Sequence, residues 1–259
     1  MESEAIAFFG RRPSELLLIL DDSDSLLRGK FRKELRLLRD LLRECGWRAE
    51  LADPGQTRWD GQRLTFRDRP VAFVVNGSTG FSWLSDSFAA LRSAHEVGQV
   101  YVAPNPFTYA TRSGKRLLEW LSLPDWDREL GIEPAERRMF NAHVPETHVL
   151  TSENLERLAE RKLDLVFKPA LGFAGRGLLD SSSVGRPRLR QLLKRGEIYV
   201  AQQRISKSSM VAEGARLWTD LRVWAYLGEI FLISGRASIR PDRLDLSPPG
   251  GWLPTYASL

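Results

Sequence analysis

The chain has 259 residues, 42% hydrophobic and 27% charged, a balance that excludes wholesale disorder and allows one large or two to three small folded domains. A single cysteine, Cys45, excludes an intramolecular disulfide, and with only His95, His143 and His148 scattered elsewhere it offers no zinc-binding spacing. The net charge of +5, from 38 Lys+Arg against 33 Asp+Glu, suits a phosphate-bearing ligand or nucleic acid as well as an ordinary basic surface.

Leu16 to Leu20 is the longest early apolar run, too short to span a bilayer, and it ends on Asp21-Asp22 instead of a small-residue cleavage site. No membrane span and a reducing cytoplasmic setting are expected. The run predicts a strand over 16–22. A helix over 30–44 follows, with apolar positions at Phe31, Leu35, Leu38 and Leu42, closed by Gly46. Trp47 to Leu51 reads as a second strand and Asp53-Pro54-Gly55 as a turn. A pair, Arg63 to Phe66 and Val71 to Val75, runs into the loop Asn76-Gly77-Ser78-Thr79-Gly80, and function often sits on such strand-end loops. Phe88 to Val97 reads as helix, Val100 to Ala103 as strand, Pro104-Asn105-Pro106 as a break, and Ser113 to Leu121 as a helix with Lys115 near its start.

Residues 122–150 are polar and punctuated by proline, which places the main boundary around 145–150. Beyond it, a helix from Thr151 to Arg161, a strand over Leu163–Lys168, a tight loop over Gly172–Gly177, a helix over Pro187–Arg195 and a strand over Glu197–Ile205 are expected. Leu217 to Tyr226 and Glu229 to Ala237 alternate as paired strands around a Leu227-Gly228 turn. There is no internal repeat.

The most specific segment runs from Asp164 through Lys168 and Gly172 to Gly175-Arg176-Gly177, an apolar strand ending in lysine and opening into three glycines. It matches neither a dinucleotide fingerprint nor a Walker A loop. Glycines let backbone N–H groups approach phosphate oxygens, and a lysine at the strand end neutralises the same phosphates. A β-hairpin turn with incidental basic residues is the plain alternative. Gln202-Gln203-Arg204-Ile205 sits in a strand whose backbone could read an adenine edge, as could any core strand. Arg222, two residues after Asp220, and Arg236 could clamp a transferring phosphate or pair with Asp220 on a surface.

The order of these pieces, lysine strand, glycine flap, Gln-Gln-Arg-Ile strand, Asp-x-Arg strand, arginine strand and Gly250-Gly251, resembles the ATP-grasp superfamily. It looks most like the glutathionylspermidine-synthase-like, circularly permuted branch. Three upstream stretches carry the same likeness: Asn105-Pro106 followed by Ser113-Gly114-Lys115-Arg116, the connector Gly131 to Arg138 with Val144 to Thr147, and Asn76 to Phe81. Departures are Gly114 for an acidic residue and Gly77 and Gly80 where the branch has arginine and aspartate.

The resemblance implies an α/β and α+β protein: an N-terminal pre-ATP-grasp, Rossmann-like domain over 1–145, a small ATP-grasp lobe with the flap over 146–207, and antiparallel strands over 208–259 completing the site. It implies an ATP-dependent ligase joining a small-molecule carboxylate to an amine, such as an amino acid, peptide or polyamine, with ATP and Mg2+ as cofactors. A catalytically impaired ATP-grasp-like protein that binds a nucleotide or a partner without ligation is the alternative that Gly77 and Gly80 favour. By carry-over, Lys115, Lys168, Gly172, Phe173, Ala174, Gly175, Arg176 and Gly177 hold or cover the phosphates, and Gln202, Gln203, Arg204 and Ile205 contact adenine. Arg222 and Arg236 face the reacting phosphate, with Arg240 a weaker third. Asn76 with Asp220, or Asp22, would supply metal ligands. Nucleic acid is not the expected partner, because no compact Lys/Arg patch interleaved with aromatics is present.

Overall fold

The computed structural model describes residues 1–172, 175–181, 183–212, 214–241 and 246–256. The chain forms two compact units, Met1–Ser113 and Gly114–Leu259, so residue 145 falls within the second.

In the first unit, β1 (Leu16–Leu20), β2 (Ala49–Ala52), β3 (Thr57–Trp59), β4 (Leu64–Phe66), β5 (Arg69–Asn76) and β6 (Tyr101–Ala103) build one sheet. Its path is β2-β1-β5-β4-β3, with β6 also on β5. The pairs β1–β2, β1–β5 and β5–β6 are parallel, whereas β3, β4 and the start of β5 form an antiparallel extension. All five residues of β1 are buried, as a strand covered on both faces requires. Its alternation feeds two cores. Leu16, Leu18 and Leu20 meet Leu91 and Val102 on one face, and Leu17 and Ile19 meet Leu42 and Phe73 on the other.

The helix Arg32–Glu44 lays Leu35, Leu38 and Leu42 onto that second core, as its spacing predicts. Phe31 falls just before it and is exposed. The first strand stops short of the expected end because Asp22 caps a further helix, Ser23–Arg28, accepting from the Ser25 amide. The polar stretch after residue 121 also holds two helices, Trp126–Leu130 and Pro134–His143. Pro134 occupies the first turn there, where a missing N–H costs nothing.

Gly77 and Gly80 have steric reasons to be glycine. A Cβ at Gly80 would lie 2.9 Å from Phe88 Cε2, and one at Gly77 would lie 3.0 Å from the Leu20 carbonyl oxygen. Phe88 is buried and stacks on Trp83, so this loop is closed down onto its core. Gly80→Asp is expected to destabilise the chain by about 1–3 kcal/mol through overpacking, read as a lower urea midpoint. An unchanged midpoint would show that Phe88 yields freely.

The second unit carries two antiparallel sheets. The first has the order β7-β9-β8, from β7 (Thr147–Val149), β8 (Leu165–Pro169) and β9 (Tyr199–Gln203). The helices Leu155–Glu160 and Arg186–Lys194 bury Leu158, Leu189 and Leu192 against Leu165, Phe167 and Ala201. The second sheet has the order β10-β11-β12-β13, from β10 (Ser208–Ala212), β11 (Ala215–Tyr226), β12 (Glu229–Ser238) and β13 (Gly251–Leu253). The β11–β12 hairpin turns at Leu227-Gly228, both with positive φ, the backbone a two-residue hairpin demands. Among the described residues no helix is long and apolar enough to cross a membrane.

Candidate functional site

Strand alternation sorts the side chains of β8. Phe167 points into the core at 0% exposure, so Val166 and Lys168 take the opposite face and line a cavity of about 620 Å³. That volume lies within the range of small-molecule sites, roughly 300–1,000 Å³. In register with Val166 on β9 is Gln202, which is buried and accepts from Lys168 Nζ at 2.6 Å through Oε1. Its Nε2 donates to Thr147 Oγ1 at 3.0 Å. Gln202 therefore holds the lysine head in place while its own polar atoms are satisfied from β7.

Lys115 reaches the same cavity from a distant part of the chain. Its backbone N–H donates to the Ala170 carbonyl and its Nζ to the Gly172 carbonyl, 3.0 Å away. The glycine loop leaves β8 after Pro169 and returns to pair Leu179 with Phe167. At Gly177, φ is +71° and a Cβ would lie 2.7 Å from Pro169 Cγ. Tyr199 Oη donates to the Gly177 carbonyl at 3.0 Å, so this glycine pins the loop base to β8 and β9. Gly172, Gly175 and Arg176 line the cavity; Phe173 and Ala174 lie outside the described residues.

A third lysine, Lys207, lines the cavity too. Desolvation first, then repulsion from Lys115 and Lys207, pushes the Lys168 ammonium below the ordinary lysine range. Burial alone does the same to Lys115. Three amines gathered around one space create a positive potential that an anion would relieve. Val166, Leu178 and Ile205 supply apolar wall beside them. Arg204 also lines the cavity, while its guanidinium donates to Asp180 Oδ1 at 2.9 Å.

On the second sheet, Asp220 and Arg236 are cross-strand partners and both line the cavity. Arg236 grips the carboxylate with two bonds of 2.8 Å each, from Nε and from a terminal nitrogen, the planar fork geometry of arginine and carboxylate. Arg222 lies two residues along the same face but is exposed and outside the cavity lining, its guanidinium 5.9 Å from the Trp224 ring centroid. Asn76 lies in the first unit, where its Oδ1 accepts from the Ser78 N–H and hydroxyl. Asp22 is the helix cap described above.

Sequence reading missed Lys207 and two residues of the apolar wall, Val166 and Leu178, while Ile205 lines the cavity as expected. A lysine shortly after the Gln-Gln-Arg-Ile strand was the available signal, but nothing in its spacing ties it to Lys168.

No family model and no curated protein matches the sequence. Solved structures do match in shape. A gamma-glutamylcysteine synthetase candidate from Methylobacillus flagellatus aligns over 93% of this chain and 68% of its own, with TM-score 0.55 and 12% identity. A glutathione-synthetase-like effector from Globodera pallida aligns over 97% of this chain and 58% of its own, with TM-score 0.51 and 12% identity. The chain has the ATP-grasp fold. At this identity the likeness is one of fold, and this ATP-grasp chain spans little more than half of the effector's length.

Proposed function

We propose that the cavity of the second unit binds ATP and that the protein is an ATP-dependent carboxylate–amine ligase. The observation that carries the reading is the convergence of Lys115, Lys168 and Lys207 on one cavity beneath a glycine loop, with apolar wall beside them. Phosphates would meet the lysines and loop N–H groups, and adenine would lie against Ile205 and the end of β9.

In this reading Arg236 stabilises charge on the phosphate moving to the substrate carboxylate, and the resulting acyl phosphate is opened by an amine, releasing phosphate and leaving an amide. Lys115 and Lys168 orient the donor, and the loop excludes water. Magnesium prefers several oxygen ligands. Among the described residues no three His, Cys, Asp or Glu side chains gather for a metal, and Asp220, the carboxylate of the cavity wall, is held at both oxygens by Arg236. Among the described residues there is therefore no preassembled magnesium cage, and an ion would be held largely by the phosphates of ATP. Placement in the glutathionylspermidine-synthase-like branch rests on the sequence motifs alone.

The commitment of Asp220 to Arg236 and the closed loop at Gly77 and Gly80 favour a second reading, nucleotide binding without ligation. Incubation with ATP, magnesium and a pool of amino acids and amines separates the two. Substrate-dependent phosphate release is expected for a ligase; ATP binding with no release above background would reject ligation and leave the binding protein.

A further inference from the structure

The cavity-facing side of the second sheet continues past Asp220 and Arg236 into an aromatic surface. On β11 the residues sharing that face are Arg222 and Trp224, and Trp252 of β13 stands in register with Arg236. Trp224 is opposite Leu232, four residues from Arg236 along β12, yet the two indole centroids are only 5.7 Å apart, tilted by 36°. The rings thus reach toward each other from non-adjacent strands, above the small side chain of Ser234. A β-bulge follows Trp224 at once, a device that re-aims side chains near sites. Trp252 is 51% exposed, so the pair presents ring surface outward and is not a core contact. Arg222 rests on Trp224 and has no ion pair among the described residues.

We propose that this face is the subsite for the acid substrate, and that the acid carries an aromatic or flat apolar group: the indoles stack on the group and Arg222 attracts the carboxylate. Indole faces would accept a cation equally well, but Arg236 is offset by Asp220, so the net charge beside the rings is that of Arg222, which repels a cation and assigns the surface to the acid and not to the amine. An aromatic pair serving the sheet alone would lie between neighbouring strands; this one spans the strand between them and faces outward. The role as acid subsite rests on the ligase reading of the adjacent cavity.

The test is a ligand-observed NMR titration of the full chain with 3-phenylpropionate, propionate and phenethylamine, without nucleotide. Phenylpropionate is expected to bind about fivefold or more tightly than propionate, the size of a ring–ring contact, and phenethylamine more weakly than the acid. Trp224→Leu or Trp252→Leu should erase the preference, Trp224→Phe should keep it, and Arg222→Gln should weaken both acids. Equal binding of the two acids, an undiminished preference in both leucine variants, its loss in the phenylalanine variant, or phenethylamine binding as well as the acid overturns the proposal. A chain that binds phenylpropionate in this pattern but not ATP keeps the aromatic subsite and loses the nucleotide reading. One that binds ATP without the acid preference does the reverse.

Discussion

Replacing Lys168 by alanine is expected to weaken ATP binding by about 30-fold or more, since a charge-assisted contact to phosphate contributes about 2 kcal/mol. Lys168 is the lysine most tightly placed by the fold, held by Gln202 on the neighbouring strand and flanked by two other amines. Calorimetric titration of wild type and variant measures the effect, and an unfolding scan verifies that the variant is folded. Unchanged affinity in a folded variant would remove the nucleotide site from this cavity.

The same lysine makes the binding pH-dependent, with a defined sign. Its pKa is lowered from 10.5, so it sheds its proton at a lower pH than an ordinary lysine, and a neutral amine no longer attracts phosphate. Affinity for ATP should therefore be full near neutral pH and begin to fall at a lower pH than for an ordinary lysine. Bound phosphates favour the charged form, so binding in the alkaline range should take up protons, visible as a buffer-dependent heat. A titration that stays flat up to the ordinary lysine range would reject the desolvated, mutually repelling cluster.

Arg236→Ala is expected to lower substrate-dependent phosphate release about 100-fold, the size of losing one positioned donor to a developing anion, while ATP affinity changes little. The substitution also leaves Asp220 on the cavity wall without its partner, and that bare carboxylate would itself repel phosphate. Adding Asp220→Ala separates the causes. If the guanidinium acts on the reacting group, the double variant stays as slow as the single one. If release returns to within a fewfold of wild type, the arginine only masks Asp220.

Much of the fold was legible because its strands are short apolar runs bounded by clear punctuation. The five residues of β1, the helix Arg32–Glu44 and the Leu227-Gly228 hairpin follow directly from periodicity and turn chemistry. Less legible were β10 and β13. Ser208 to Ala212 opens with two serines and is exposed along most of its length, and Gly251 to Leu253 is three residues long. Their extended form comes from hydrogen bonds to β11 and β12, not from their own propensity.

The site divides in the same way. Lys168 and the three glycines stood out as a candidate phosphate loop because strand, lysine and glycine are contiguous, and the local backbone requirement at Gly177 is a property of that stretch. What the chain alone could not express were the pairings made across distance. Lys115 meets the loop through Gly172, and Gln202 anchors Lys168. Lys207 joins them; the pairing of Asp220 with Arg236, which the sequence left as one of two options, is the one the fold makes. Side-chain identity and local spacing therefore marked the stretch on which the proposed phosphate site rests. Only the tertiary fold decided which charges are shared and which are paired off: sheet register sets Asp220 against Arg236 and Gln202 beside Lys168, and the docking of Lys115 onto the Ala170 and Gly172 carbonyls brings in a lysine from outside the sheets.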